Sequence, residues 1–193
     1  WVAATEGVSR GELPRDGLPG GRPKFTAFRV EDGLATARSY ACSSDDEGRI
    51  WVSHGIALSY FDGERFRALT AGSGLASRSA RALGAGRDGR LWVGGQGQVA
   101  RLLPGASATP PQFLALETRG ALADVLVLTI AEDEHGHLVL GTNHGVLTLA
   151  LEAPDRAVVI SRFDRRGGAL ASEVSPSSAF TSDDQGRAWV GLK

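Results

Sequence analysis

Apolar and polar residues alternate along the chain in short runs that end at glycine, aspartate or proline. Examples are residues 65–69 (Arg-Phe-Arg-Ala-Leu) and 146–150 (Val-Leu-Thr-Leu-Ala). A period of two over a few residues is typical of a strand with one buried face. Four such runs recur in each stretch of about 40 to 50 residues. The pattern therefore predicts an all-β chain made of four-stranded antiparallel meanders.

A turn glycine followed three residues later by a large apolar residue marks each repeat. Acidic residues stand just before these glycines, as in tight hairpins, because glycine accepts positive φ and aspartate bonds its own backbone. The turn glycines are Gly48, Gly89, Gly136 and Gly186, and the apolar anchors are Trp51, Trp92, Val139 and Trp189, with Trp1 closing an earlier copy. This period gives approximate repeats at 1–44 (partial), 45–86, 87–132, 133–182 and 183–193 (partial).

Small sheets that repeat in this way, with one aromatic anchor each, indicate the blades of a β-propeller. A blade buries its two faces only against its neighbours, so we expect the tryptophans to pack between blades as structural anchors. The fold class predicted for 1–193 is a single partial β-propeller with about four four-stranded blades. Since four blades rarely close a ring, we expect a fragment of a larger, seven-bladed ring that continues on both sides.

Composition narrows the partner classes. The 193 residues carry 21 basic and 22 acidic side chains, a formal net charge of -1, which predicts no binding to nucleic acid and no direct contact with a membrane. Cys42 is the one cysteine and has no partner for an internal disulfide. The chain has no methionine and begins with Trp1, so we expect a piece of a longer protein.

The repeat resembles the two-component regulator propeller repeat. Residues 91–94 (Leu-Trp-Val-Gly) and 140–146 (Leu-Gly-Thr-Asn-His-Gly-Val) match its pattern, whereas Val139 departs from it. Propellers of that family form the extracytoplasmic sensor region of membrane receptors with a histidine kinase or diguanylate cyclase output. The resemblance therefore implies a periplasmic, non-catalytic module that senses an unknown small molecule or oligosaccharide, with a receptor homodimer as a further partner.

Two copies also resemble the Asp box of sialidase-like propellers. Residues 44–51 and 182–189 both read Ser-X-Asp-X-Gly-X-X-Trp. In proteins of that kind the box is a folding turn remote from catalysis, so this resemblance implies no glycosidase. Tyr40 and Tyr60, the two tyrosines, are not in a setting typical of a sialidase nucleophile.

Acidic and histidine clusters at the turns carry no predicted catalytic, metal or cofactor site. His135 and His137 flank Gly136, but two ligands do not make a zinc site. The pairs Asp45-Asp46 and Asp183-Asp184 lack the alternate ligand spacing of a calcium loop and are interpreted as turn caps.

The loop between the second and third strands differs from copy to copy over a constant scaffold, which is where repeat proteins place recognition. The candidate ligand-binding residues in these loops are His54, Gln96, Asn143 and His144. We expect them to be exposed, so that replacing His54 or His144 leaves folding intact.

Three functions stay open at the level of sequence. The first is the sensing module described above. The alternative is a propeller enzyme of the lyase, lactonase or glycosidase type, with a site completed by blades outside this segment. The third is a purely structural interaction ring.

Overall fold

The computed structural model describes residues 1–12, 24–69, 73–75, 79–105, 110–164, 180–182 and 188–190. Apart from one turn of 3-10 helix at Val30–Asp32, the regular structure in these residues is β-strand. The strands are β1 Val2–Ala4, β2 Gly7–Glu12, β3 Lys24–Phe28, β4 Ala41–Ser44, β5 Ile50–Ser53, β6 Leu58–Phe61, β7 Phe66–Ala68, β8 Ala82–Ala85, β9 Leu91–Gly95, β10 Gln98–Leu102, β11 Phe113–Ala115, β12 Val127–Glu132, β13 Leu138–Thr142, β14 Gly145–Ala153, β15 Arg156–Phe163, β16 Phe180–Ser182 and β17 Ala188–Val190.

Consecutive strands pair antiparallel into separate small sheets. Three sheets are complete four-stranded meanders, which we call blade 1 (β4–β7), blade 2 (β8–β11) and blade 3 (β12–β15). A three-stranded sheet (β1–β3) precedes them and a two-stranded sheet (β16–β17) follows. This architecture confirms an all-β partial β-propeller. The expected count of about four blades is met, within the described residues, by three complete blades and two incomplete ones.

Each blade begins one strand before the corresponding repeat boundary. Blades 1, 2 and 3 start at Ala41, Ala82 and Val127, whereas the sequence period sets boundaries at 45, 87 and 133. The difference arises because the boundaries follow the turn between the first and second strands. The residues of the first strand of each blade therefore fall at the end of the preceding sequence repeat.

The turns between first and second strands have the geometry that their sequence predicts. Gly48, Gly89 and Gly136 have φ of 79°, 78° and 80°, a region that side chains with a Cβ rarely adopt. Gly186 lies outside the described residues. These turns lie on one face of the blades, here called the lower face. The loops between second and third strands, and the links between sheets, lie on the upper face.

The apolar core lies between successive sheets. Trp51 of blade 1 is fully buried and makes an edge contact with Phe113 of blade 2 at a ring-centroid distance of 5.4 Å. Trp92 of blade 2 is buried in the cluster formed with blade 3. Trp1 packs on Phe28 and Phe61 between the first sheet and blade 1. For Trp189 only the strand that carries it is described.

The first strands of the blades lie close together and form their inner edge. At Gly84 of β8, an added Cβ would lie 2.5 Å from the backbone oxygen of Ile130 in β12. Only glycine permits this approach of two backbones. β8 and β12 are thereby in direct backbone contact at the inner edge.

Candidate functional site

Two arginines converge on one tyrosine where the inner strands begin. The guanidinium carbon of Arg81, just before β8, lies 3.7 Å from the centroid of the Tyr40 ring, and that of Arg38 lies 5.3 Å from it. The backbone fixes both strand starts, since Tyr40 donates to Ser53 O and Arg81 donates to Gly94 O. We call these three side chains the upper cluster.

The upper cluster borders an open space of about 560 Å³ between β1 and β4, here called the cleft. β1 corresponds to β5 of blade 1, and in the described residues no strand equivalent to β4 pairs with its other edge. The lining residues are Trp1, Val2, Ala3, Ala4, Thr5, Arg38, Ser39, Tyr40, Ala41, Cys42 and Arg81.

The two guanidiniums of the upper cluster are not neutralised within the described part of the chain. The ion pairs found there engage other arginines, such as Arg49 with Asp45 and Arg67 with Asp62. Arg38 is exposed and Arg81 half-buried. Positive charge with free N–H donors in a cleft is the setting that binds carboxylate, sulfate or phosphate groups.

The remaining polar groups of the cleft are a thiol and hydroxyls. Its described lining contains no carboxylate and no imidazole, and its hydroxyls belong to Thr5, Ser39 and Tyr40. Burial raises the pKa of the Cys42 thiol above its ordinary value. A thiol of that kind stays protonated at neutral pH and is a poor nucleophile.

His54, predicted to be an exposed loop residue, is buried. Only 3% of it is accessible, and Nδ1 and Nε2 lie 2.9 Å from Arg38 O and 3.0 Å from Ser59 Oγ. The expectation of exposure was wrong because the link carrying Arg38 folds over this loop. Desolvation lowers the pKa of the imidazole, and the Arg38 contact opposes this only in part. His54 lies beneath the link that carries Arg38 and holds the backbone of that link in place.

The other predicted residues lie on the same face but in separate blades. Gln96 is exposed in blade 2 and its backbone N–H donates to Ser79 Oγ at 3.0 Å. In blade 3, Asn143 Oδ1 accepts the Leu126 N–H at 2.8 Å, which leaves His144 as the exposed residue of this loop. Their assignment to ligand binding stays a prediction.

The upper cluster was not among the sequence-predicted site residues. Arg38 and Tyr40 belong to one inter-sheet link and Arg81 to the next, so no local motif joins them. The available signal was an aromatic residue flanked by arginine directly before an inner strand. That signal is weak until the fold shows which strands are innermost.

A second group of chemistry-bearing side chains lies on the lower face, in the turn of blade 3. One potential ligand atom from each of Asp133, His135 and His137 lies within 4.8 Å of the other two. Burial raises the pKa of the Asp133 carboxyl, but backbone hydrogen bonds from His137 and His135 outweigh it, and the net pKa is lowered. The sequence pattern indicated His135 and His137 alone, and the fold adds the Asp133 carboxylate as a third potential ligand. We call these residues the lower cluster.

Several solved structures have a fold similar to that of this chain. The extracellular domain of the one component system BT4673 from B. thetaiotaomicron aligns with 100% of this chain at a TM-score of 0.72 and 18% identity. The extracellular domain of the hybrid two component system BT3049 from the same organism aligns with 89% of the chain at a TM-score of 0.69 and 16% identity. The chain shares its fold with these extracellular domains. No protein-family model and no curated protein matches it.

The chain spans only about a quarter of each of those structures, 25% and 23% of their lengths. Virginiamycin B lyase from Staphylococcus aureus has a related fold, with a TM-score of 0.58, 11% identity and coverage of 94% of this chain and 55% of the lyase. At these identities the likenesses establish the fold alone.

No helix in the described part of this chain has the length and hydropathy that crossing a bilayer requires.

Proposed function

We propose that this chain is part of the periplasmic, ligand-sensing region of a bacterial signal-transduction receptor and that it has no catalytic activity of its own. Its ligand is a small molecule or oligosaccharide that carries a carboxylate or sulfate group. The ligand binds in the cleft beside the upper cluster. The blades hold the binding groups, and the downstream part of the receptor carries the output.

The observation that carries this proposal is the pair of guanidiniums near Tyr40, with Arg81 at 3.7 Å and Arg38 at 5.3 Å from the ring centroid. Two positive charges near one ring add to a local positive potential that attracts anions. No described carboxylate offsets that charge, since neither Arg38 nor Arg81 is in an ion pair among the described residues. A bound anion would offset it. The shared fold with extracellular domains of one- and two-component systems supports the sensing role.

The enzyme alternative has a structural neighbour in virginiamycin B lyase. A lyase or glycosidase needs a positioned acid or base beside the bound substrate. The described lining of the cleft contains no carboxylate and no imidazole; it offers two guanidiniums, the Cys42 thiol, whose pKa burial raises, and the hydroxyls of Thr5, Ser39 and Tyr40. The two guanidiniums bind and orient an anion but do not exchange protons with it at neutral pH.

The binding test uses the intact protein and paired probes. Oligogalacturonides and sulfated oligosaccharides are compared with their methyl-esterified or desulfated forms by calorimetric titration and thermal shift. We expect an acidic probe to bind and its neutral partner to bind at least about tenfold more weakly. We expect Arg81→Gln to abolish binding, and Arg38→Gln to weaken it about tenfold.

Arg87→Gln is the matched control, because it removes the same charge from an exposed arginine in the β8–β9 turn on the lower face, outside the cleft. It should leave binding unchanged. Failure of every acidic probe to bind, or equal binding of acidic and neutral members, would contradict the proposal. Chromatography of each probe after incubation separates binding from turnover, and a cleaved product would favour the enzyme alternative.

A further inference from the structure

The turn between the first and second strands of blade 1 holds a buried carboxylate against a fixed cation. The Asp45 side chain is fully buried, and its Oδ2 accepts hydrogen bonds from Arg49 Nε and Trp51 Nε1, both at 2.7 Å. Its Oδ1 accepts the backbone N–H groups of Glu47 and Arg49 at 3.1 and 2.9 Å. The guanidinium thus supplies the positive charge that a buried carboxylate needs.

The equivalent turn of blade 3 keeps the carboxylate and loses the guanidinium. Asp133 Oδ1 accepts the backbone N–H groups of His135 and His137, both at 2.8 Å, in the same way as Asp45. However, His137 stands in the place of Arg49, and Val139 in the place of Trp51. The second carboxylate oxygen is left with one described partner, His137 Nδ1 at 3.0 Å.

We propose that the lower cluster of Asp133, His135 and His137 binds a divalent transition-metal ion of the zinc class. The ion supplies the positive charge that Arg49 supplies in blade 1. This proposal stands independently of the function proposed for the upper face.

The geometry suits such an ion. One donor atom from each residue lies within 4.8 Å of the other two, and the two imidazole rings are nearly parallel, with an interplanar angle of 19° and centroids 5.8 Å apart. Two imidazoles and a carboxylate are a donor set that Zn²⁺, Ni²⁺ and Cu²⁺ accept, whereas Ca²⁺ and Mg²⁺ prefer oxygen donors. His135 is exposed and the other two residues are half-buried, so water completes the coordination from the solvent side.

The test is a titration of the intact, chelator-treated protein with Zn²⁺, followed by calorimetry and by competition with a chromophoric chelator. We expect one ion per lower cluster, and a thermal midpoint that rises with free zinc by mass action. Co²⁺ at the same site should give a visible absorption band that zinc removes.

Three variants make the assignment specific. His137→Arg restores the residue found at this position in blade 1, so the variant should fold while zinc affinity falls by about 100-fold or more. His135→Gln changes an exposed side chain and should weaken binding at least about tenfold. His144→Ala, which removes an exposed histidine on the opposite face, should bind zinc as the parent does.

Unchanged zinc binding in a folded His137→Arg protein would overturn the proposal. So would absence of zinc-dependent stabilisation in the parent protein, or loss of binding in His144→Ala. Each of these outcomes would leave Asp133 and His137 as a hydrogen-bonded pair that closes a turn.

Discussion

The imidazole Nδ1 of His54 lies 2.9 Å from the backbone oxygen of Arg38. A carbonyl oxygen only accepts hydrogen bonds, so Nδ1 carries the proton and Nε2 accepts from the Ser59 hydroxyl at 3.0 Å. The Ser59 oxygen in turn accepts the Ala35 N–H at 2.9 Å. This relay ties the link that carries Arg38 to β6 and so positions Arg38, one of the three residues of the upper cluster.

Replacing His54 by alanine should therefore destabilise the fold. The variant leaves the buried side of Arg38 O without its donor and opens a gap behind the link, at a cost of about 1 to 3 kcal/mol. Chemical denaturation measures the free energy of unfolding. His144→Ala is the control, and it should change that free energy by less than about 0.5 kcal/mol. Equal effects of the two substitutions would contradict the buried relay.

The same imidazole predicts how stability depends on pH. Burial lowers the pKa of His54 below its ordinary value of 6.5, so the unfolded chain takes up the proton more readily than the folded chain. The contribution of His54 is fully present above about pH 6.5 and is lost as the pH falls from there toward the folded-state pKa. Free energies of unfolding of the parent and of His54→Gln, measured at intervals from about pH 7.5 down to about pH 5, test this. The free energy of unfolding should fall less in the variant than in the parent. The same pH dependence in both proteins would contradict the prediction.

Removal of the buried carboxylate of blade 1 should be costly. Asp45→Ala strips Trp51 Nε1 and Arg49 Nε of their acceptor and removes two turn hydrogen bonds, which predicts a loss of roughly 3 kcal/mol. Asp88→Ala is the comparison, because its carboxylate side chain is 43% exposed and its pair with Arg90 contributes less than about 1 kcal/mol. Thermal and chemical unfolding measure both variants. If Asp88→Ala proves more destabilising than Asp45→Ala, this interpretation of the two turns is wrong.

Contact between inner strands is tested at Gly84. An alanine there would press on the backbone oxygen of Ile130, 2.5 Å from the added Cβ, and a backbone group cannot rotate away as a side chain can. We expect Gly84→Ala to destabilise by about 1 to 3 kcal/mol. The neighbouring Ala85 is exposed, so Ala85→Ser should be close to neutral. A neutral Gly84→Ala would mean that β8 and β12 lie farther apart than described here.

Much of the architecture could be predicted from the sequence, because strands and turns are specified by residues that are close together in the chain. The alternation at 146–150 lies within β14, and the glycines at 48, 89 and 136 fix hairpins through their positive φ. Packing of Trp51 on Phe113 follows from the repeat once each blade is known to need a neighbour. Local propensity and period carry this information.

The candidate site was harder to predict from the sequence, because its residues are far apart in the chain and meet only in the folded structure. Arg81 meets Tyr40 only because two inner strands start side by side, and His54 is buried only because the Arg38 link folds across it. The lower cluster needed the turn geometry that brings Asp133 back beside His137. A linear pattern marks such residues as polar loop positions but does not show which of them meet.

The decisive test of the proposed binding site is an experimental structure of the intact protein with the acidic saccharide that binds most tightly. We expect the carboxylate or sulfate group to lie within hydrogen-bonding distance of the Arg38 and Arg81 guanidiniums, beside Tyr40, on the upper face of adjoining blades. Guanidiniums that are instead paired with aspartate or glutamate from another part of the protein, with the saccharide bound elsewhere, would contradict it.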